Sequence, residues 1–153
     1  MFTNFEKMSF TSSKSKIFFF FDGVKFNLIK RAKLKKYIQS IFKTEGKKIK
    51  SINYIFCTDK ILLEINRQFL THDFYTDIIT FDLSETDVIQ AEIYISIDRV
   101  NDNALQLGVS FKSELHRVIF HGVLHLCGYK DTNKTEKNKM RGKEEFYLKK
   151  YRL

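Results

Sequence analysis

The sequence predicts an α+β domain whose candidate site sits on a central, mostly buried helix. Apolar residues recur with helical spacing in some stretches and as β-rich runs in others, and the two kinds mix without strict alternation. The 153 residues contain no Pro and only six Gly, so no linker-like stretch divides residues 1–153 and one domain is expected. With 43% hydrophobic and 29% charged residues, the composition is that of a folded chain with a sizeable core, not of a disordered one.

The elements follow in order. Residues 16–28, KIFFFFDGVKFNL, read as strand material broken by the tight-turn pair Asp22-Gly23. Residues 30–45 carry Leu34, Tyr37, Ile38, Ile41 and Phe42 on one helical face, with Lys33, Lys36 and Lys43 on the other, and Gly46 closes the helix. Residues 49–57 read as a buried strand. Thr58 or Asp59 then caps a helix that turns Ile61, Leu62, Ile65 and Phe69 inward. Two β-rich runs, 78–83 and 92–97, precede a helix over about 98–107 that ends at Gly108. Ser110 caps the next helix, which runs to Gly128, and a charged helix over about 132–150 completes the chain.

Charge is unevenly spread. Residues 1–50 hold thirteen Lys/Arg against three Asp/Glu, residues 51–128 five against eleven, and residues 129–153 nine against four. Two basic ends thus flank an acidic middle, a pattern suited to a polyanion held beside a cation-binding centre, or simply to solubility. Cys57 and Cys127 are too few and too far apart for a disulfide framework, which fits a reducing compartment. The apolar run Ile17 to Phe21 is too short for a signal-peptide core or a membrane span. The expectation is a cytoplasmic protein with no membrane partner.

The informative segment is His116 to Asp131, HRVIFHGVLHLCGYKD. At 100° per residue, His121 and His125 lie about 40° apart on a helix. Spacing i, i+4 sets two imidazoles one turn apart on one side, which suits capture of zinc. Leu115, Val118, Ile119, Val123 and Leu126 form the broad opposite face, leaving a narrow polar seam that includes Glu114. Gly128 ends the helix and lets the chain turn back, so Asp131 is the nearest candidate third ligand; three protein ligands would leave a fourth position for water. Asp131 also reads as a possible N-cap of the last helix. Glu114 lies about 10 Å along the axis from His121, a place from which to support the site rather than bind the ion. His116, about 140° from His121 on the wheel, is a packed or surface histidine, and Cys127 faces the core. A zincin protease carries Glu after its first ligand His; here that residue is Gly122, which argues against peptide hydrolysis.

HGVLHLCGYKD resembles the signature HGxLHLxGYDH of the YbeY endoribonucleases. Ile65-Asn66 with Thr76-Asp77-Ile-Ile-Thr-Phe81 resembles that family's LN…TDVLSF segment, Ala91-Glu92-Ile93 stands at its Gly-Asp-Ile, and Glu114-Leu115 precedes the metal helix as in the family. The likeness covers about residues 50–150. It implies a compact α+β fold with a small, mixed, four-stranded sheet covered by helices. It implies a hydrolase holding one divalent ion per chain, zinc, at His121, His125 and Asp131, and cutting single-stranded RNA in ribosomal RNA 3′-end maturation and ribosome quality control. Two positions depart from the pattern. Asp131 stands where the family has its third His, and Leu70 stands where it has an Arg facing the substrate; Arg67 or His72 is a candidate replacement. The partners expected are an RNA precursor and the ribosome, with Lys33, Lys36 and Lys43 on backbone phosphates. Two other readings stand beside this one: a ribosome-assembly RNA-binding protein whose metal is structural, and a zinc hydrolase of small amides or peptides.

Overall fold

The computed structural model describes residues 16–152. Four strands, β1 (Ile17–Phe21), β2 (Lys48–Cys57), β3 (Ile78–Asp82) and β4 (Val88–Ser96), form one sheet in the order β1-β2-β4-β3. β1 and β4 both run parallel to β2, and β3 pairs antiparallel with β4 at the far edge. The sheet is therefore mixed, as expected. Five helices accompany it among the described residues: α1 (Arg31–Thr44), α2 (Asp59–Leu70), α3 (Ile97–Leu107), α4 (Phe111–Leu126) and α5 (Lys134–Arg152).

The central strands carry the core. Ile52, Tyr54 and Phe56 of β2 and Ile93 and Ile95 of β4 are fully buried at alternate positions, as a strand's period of two requires. They pack with Leu34, Ile38 and Ile41 of α1, with Val118, Ile119 and Val123 of α4, and with Met140 and Tyr147 of α5. A smaller cluster of Cys57, Leu62 and Ile79 joins α2 to β2 and β3. Tyr54 donates to the Ile119 carbonyl at 3.1 Å, so even the phenol inside the core has a partner.

Three sequence expectations are corrected. Residues 24–28 do not continue as strand. Because β1 and β2 are parallel, the chain after Asp22-Gly23 must be a crossover, and it leads into α1 while Phe26 packs edge-on against Phe56 at 5.3 Å. Phe69 does not turn inward: it is 62% exposed at the end of α2, where Asn66 is buried instead and donates to the Phe74 carbonyl at 2.9 Å. Ile97 belongs to α3, not β4, because the Ser96 hydroxyl accepts from Arg99 N–H at 3.2 Å and starts the helix there.

Candidate metal centre

α4 is held at both ends by local chemistry. The Ser110 hydroxyl accepts from Ser113 N–H at 3.1 Å, and Gly128, at φ 101°, takes the left-handed turn that reverses the chain. Between these ends the helix buries Leu115, Val118, Ile119, Val123 and Leu124. Gly122 lets it lie close on the sheet: a Cβ built there would stand 3.0 Å from Ile78 Cδ1 and 3.2 Å from two atoms of Ile93. The opposite stripe carries Glu114, Arg117, His121 and His125.

Both imidazoles are oriented by their Nδ1 atoms. His121 Nδ1 is 2.5 Å from Glu144 Oε1, and His125 Nδ1 is 3.0 Å from the Tyr129 carbonyl that the Gly128 turn brings back. Burial raises the Glu144 carboxyl, but the His121 hydrogen bond and the Arg117 charge outweigh this and hold it below the usual carboxylate range. An ionised carboxylate and a carbonyl only accept, so each ring carries its proton on Nδ1. Burial, with the neighbouring His121, also lowers His125 and favours its neutral form. The two Nε2 atoms then converge at 2.9 Å, on the side of each ring away from these partners.

Asp131 Oδ2 completes the group at 3.4 Å from His121 Nε2 and 3.5 Å from His125 Nε2, and the three donor atoms all lie within 4.8 Å of one another. Tetrahedral zinc with ligands at about 2.1 Å sets its donors roughly 3.3 Å apart. The donor set therefore fits one divalent ion. Asp131 is not the cap of α5: Asn133 Oδ1 accepts from Glu136 N–H at 2.8 Å, while Glu136 Oε2 accepts from Thr132 N–H at 2.9 Å. That leaves the Asp131 carboxylate for the imidazoles.

Glu144 and Arg117 are the residues that sequence reasoning missed. Glu114, expected to support the site, does so at one remove. It accepts from Arg117 Nη2 at 2.5 Å, and Arg117 Nη1 reaches Glu144 at 3.3 Å. Arg117 also lies 3.6 Å from Asp77, which accepts from Asn103 Nδ2 at 3.2 Å. A chain of charged groups thus ties α3, the start of β3, α4 and α5 to His121. Burial raises the Asp77 carboxyl despite the Arg117 and His121 charges, while the guanidinium, surrounded by carboxylates, is pushed up against its own burial penalty.

Two clefts reach the imidazoles. One, of about 560 Å³, is lined by Arg117, His121, Asp131, Lys137, Arg141 and Glu144. The other, of about 430 Å³, is lined by His125 with Leu70, His72, Phe74, Thr76 and Thr80 among others. Of the candidate replacements for an Arg at position 70, His72 lines this cleft, stacked on Phe74 at 5.0 Å, whereas Arg67 pairs with Asp73 outside it. Lys33, Lys36 and Lys43 are exposed on α1, and none lines either cleft.

Residues 23–152 match the family model described as Endoribonuclease YbeY. A Cytophaga hutchinsonii protein named Endoribonuclease YbeY is 52% identical over 133 residues, covering 86% of this chain and 93% of its own. A Porphyromonas gingivalis protein of the same name is 45% identical over 131 residues, covering 86% and 87%. The solution structure of a Thermotoga maritima protein superposes with a TM-score of 0.63 at 30% identity, over 87% of this chain and 88% of the other. Among the described residues no helix is long and apolar enough to cross a membrane. A match over nearly the whole fold, at such identity and around this helix, places the chain in the endoribonuclease YbeY family.

Proposed function

We propose that the chain is a single-domain, cytoplasmic, metal-dependent endoribonuclease that hydrolyses phosphodiester bonds in single-stranded RNA, acting in ribosomal RNA 3′-end maturation and ribosome quality control. The observation that carries the metal reading is the convergence of two Nε2 atoms at 2.9 Å, with both Nδ1 atoms committed elsewhere and a carboxylate closing the triangle. A divalent cation between them would use all three donors at once.

His121, His125 and Asp131 would hold one divalent ion, zinc by the chemistry of the donors. Such an ion supplies Lewis acidity toward a phosphoryl oxygen and makes water a competent nucleophile near neutral pH. Glu144 fixes the His121 ring and its tautomer, and Arg117 and Glu114 hold Glu144 in place. Lys137 and Arg141, on the cleft shared with His121 and Asp131, are placed to take substrate phosphates. Across the site, Phe74 and His72 offer a stacked pair of rings to a base in the cleft beside His125.

The test is His121→Ala and His125→Ala, with metal content by elemental analysis and cleavage of a single-stranded RNA as paired readouts. Both should lose the ion and the activity, since two remaining ligands do not hold zinc tightly. A full equivalent of metal on either variant would overturn the site.

A further inference from the structure

A third cleft, of about 480 Å³, opens on the flank of α4 away from the imidazole pair, where the N-termini of α1 and α4 converge. We propose that this cleft binds a backbone phosphate of RNA independently of the metal centre, an inference that rests on the RNA reading above.

Its lining is cationic and holds no carboxylate: Lys30, Lys33, Lys112, His116, Tyr151 and Arg152, with Ser110 and Ser113 at the α4 end. Both helix ends favour an anion there. α1 begins at Lys30, in the left-handed region at φ 53°, with no side-chain cap and no acidic residue in its first turn. α4 begins at Ser110, and the carboxylate in its first turn, Glu114, is engaged by Arg117 on another face. Two positive helix ends and four cationic side chains face one negative end, that of α5 at Arg152, where Lys33 already engages the Tyr151 carbonyl, so the balance favours a phosphate.

His116 points to the ligand independently. It is only 5% exposed and lines the cleft, stacked on Phe120 at 6.1 Å and edge-on to Tyr151 at 4.9 Å. Its ring nitrogens have no hydrogen-bond partner among the described residues, yet they are not sealed from solvent, so a phosphate oxygen in the cleft can reach them. The surrounding cations are already set: Lys33 donates to the Tyr151 carbonyl at 3.3 Å, and Arg152 bonds the Ser113 hydroxyl. Burial first, then Lys112, Arg152 and Lys33, lowers the His116 ring to about 4, which registers the uncompensated positive potential. Ser110 precedes His121 by eleven residues, about 16 Å along the helix axis, so an RNA strand held here would be anchored well away from the bond to be cut.

The experiment measures binding of a short unstructured oligoribonucleotide to the full-length chain in chelator, so that no cleavage occurs, over a range of KCl concentrations. Lys112→Ala with Arg152→Ala removes two exposed cations from the cleft and leaves the imidazole pair alone. The double variant should bind about 25-fold more weakly at about 0.1 M salt, with its log–log salt slope shallower by about 1.4, from about 0.7 per lost single-strand phosphate contact. His121→Ala should leave that slope unchanged under the same conditions. RNA should also shift the His116 ring resonances in NMR spectra of the parent. Parent-like binding by the double variant, or an unshifted His116, would overturn this site while leaving the metal centre untouched. If the parent binds no RNA at all, the RNA reading itself fails and takes this site with it.

Discussion

Glu144→Gln tests whether the second partner of His121 tunes the site or merely fills space. The substitution keeps shape and volume but replaces a carboxylate, ionised through its contacts with His121 and Arg117, by a neutral amide. Glu144 is 6% exposed, so solvent cannot stand in for the lost charge. Removing the carboxylate from a ligand histidine commonly costs 10–100-fold in metal affinity, or about 1.4–2.7 kcal/mol. The metal-free fold should suffer less, because Glu114 still holds Arg117 through contacts of 2.5–3.0 Å. A loss of about 1–2 kcal/mol is expected there, lowering Tm by roughly 2–8 °C for a domain of this size. The assay is competition for zinc against a chromophoric chelator, beside thermal unfolding of the metal-free protein. A zinc Kd within twofold of the parent, together with a lowered Tm, would show that Glu144 is structural and refute its role in orienting His121.

Asp131→Ser should lose the ion while leaving metal-free unfolding unchanged, since Asn133 caps α5; Asn133→Ala should do the reverse, costing about 1 kcal/mol with metal content intact. Parallel calorimetry and elemental analysis separate them, and a fully metallated Ser variant would remove Asp131 from the ligand set. Gly122→Ala gains about 1 kcal/mol of helix propensity but pushes a methyl against the buried Ile93, at a cost of about 1–3 kcal/mol, so a net loss near 1 kcal/mol is expected. A variant more stable than the parent in urea would contradict the close approach of α4 to the sheet. His116, about 4 in the fold against about 6.5 in the unfolded chain, contributes stability fully present above pH 6.5 and lost as pH falls toward 4, amounting to about 3 kcal/mol. His116→Phe should remove that share of the acid sensitivity in phosphate-free buffer; parallel stability–pH curves for variant and parent would rule it out.

Local periodicity made the helix bearing His121 and His125 legible, because a one-turn spacing needs no knowledge of the rest of the fold. Asp131 was legible only as ligand or cap, and the structure removes the cap reading, because Asn133, two residues on, takes that place. Glu144 was illegible. It sits in a helix whose charges look uniformly solvated in sequence, and its partner lies 23 residues earlier, reached only when α5 packs on α4. Arg117 lay in view, one turn before His121 on the same stripe, but its role depends on Glu144. The lysines of α1 show the opposite limit. Helical spacing placed Lys33, Lys36 and Lys43 on the polar side correctly, but it could not say that neither metal-centre cleft opens toward them. Strand order was likewise beyond pattern: residues 24–28 have strand composition, and only the parallel pairing of β1 with β2 makes them a connection.

The closeness of Gly122 to Ile78 and Ile93 also bears on which reactions this scaffold can host. A metallopeptidase that places its proton acceptor on the ligand helix does so at the residue following the first histidine, which must overlook the substrate. Here that residue points at the floor of the molecule. A glutamate side chain at 122 would have to displace the sheet before it reached solvent, so helix and sheet together forbid that catalytic layout whatever the codon. Whatever accepts a proton in this centre must enter from the open side, from the clefts or from the substrate itself. The same wall that packs against Gly122 thus steers the chemistry away from the helix and toward what is bound above it.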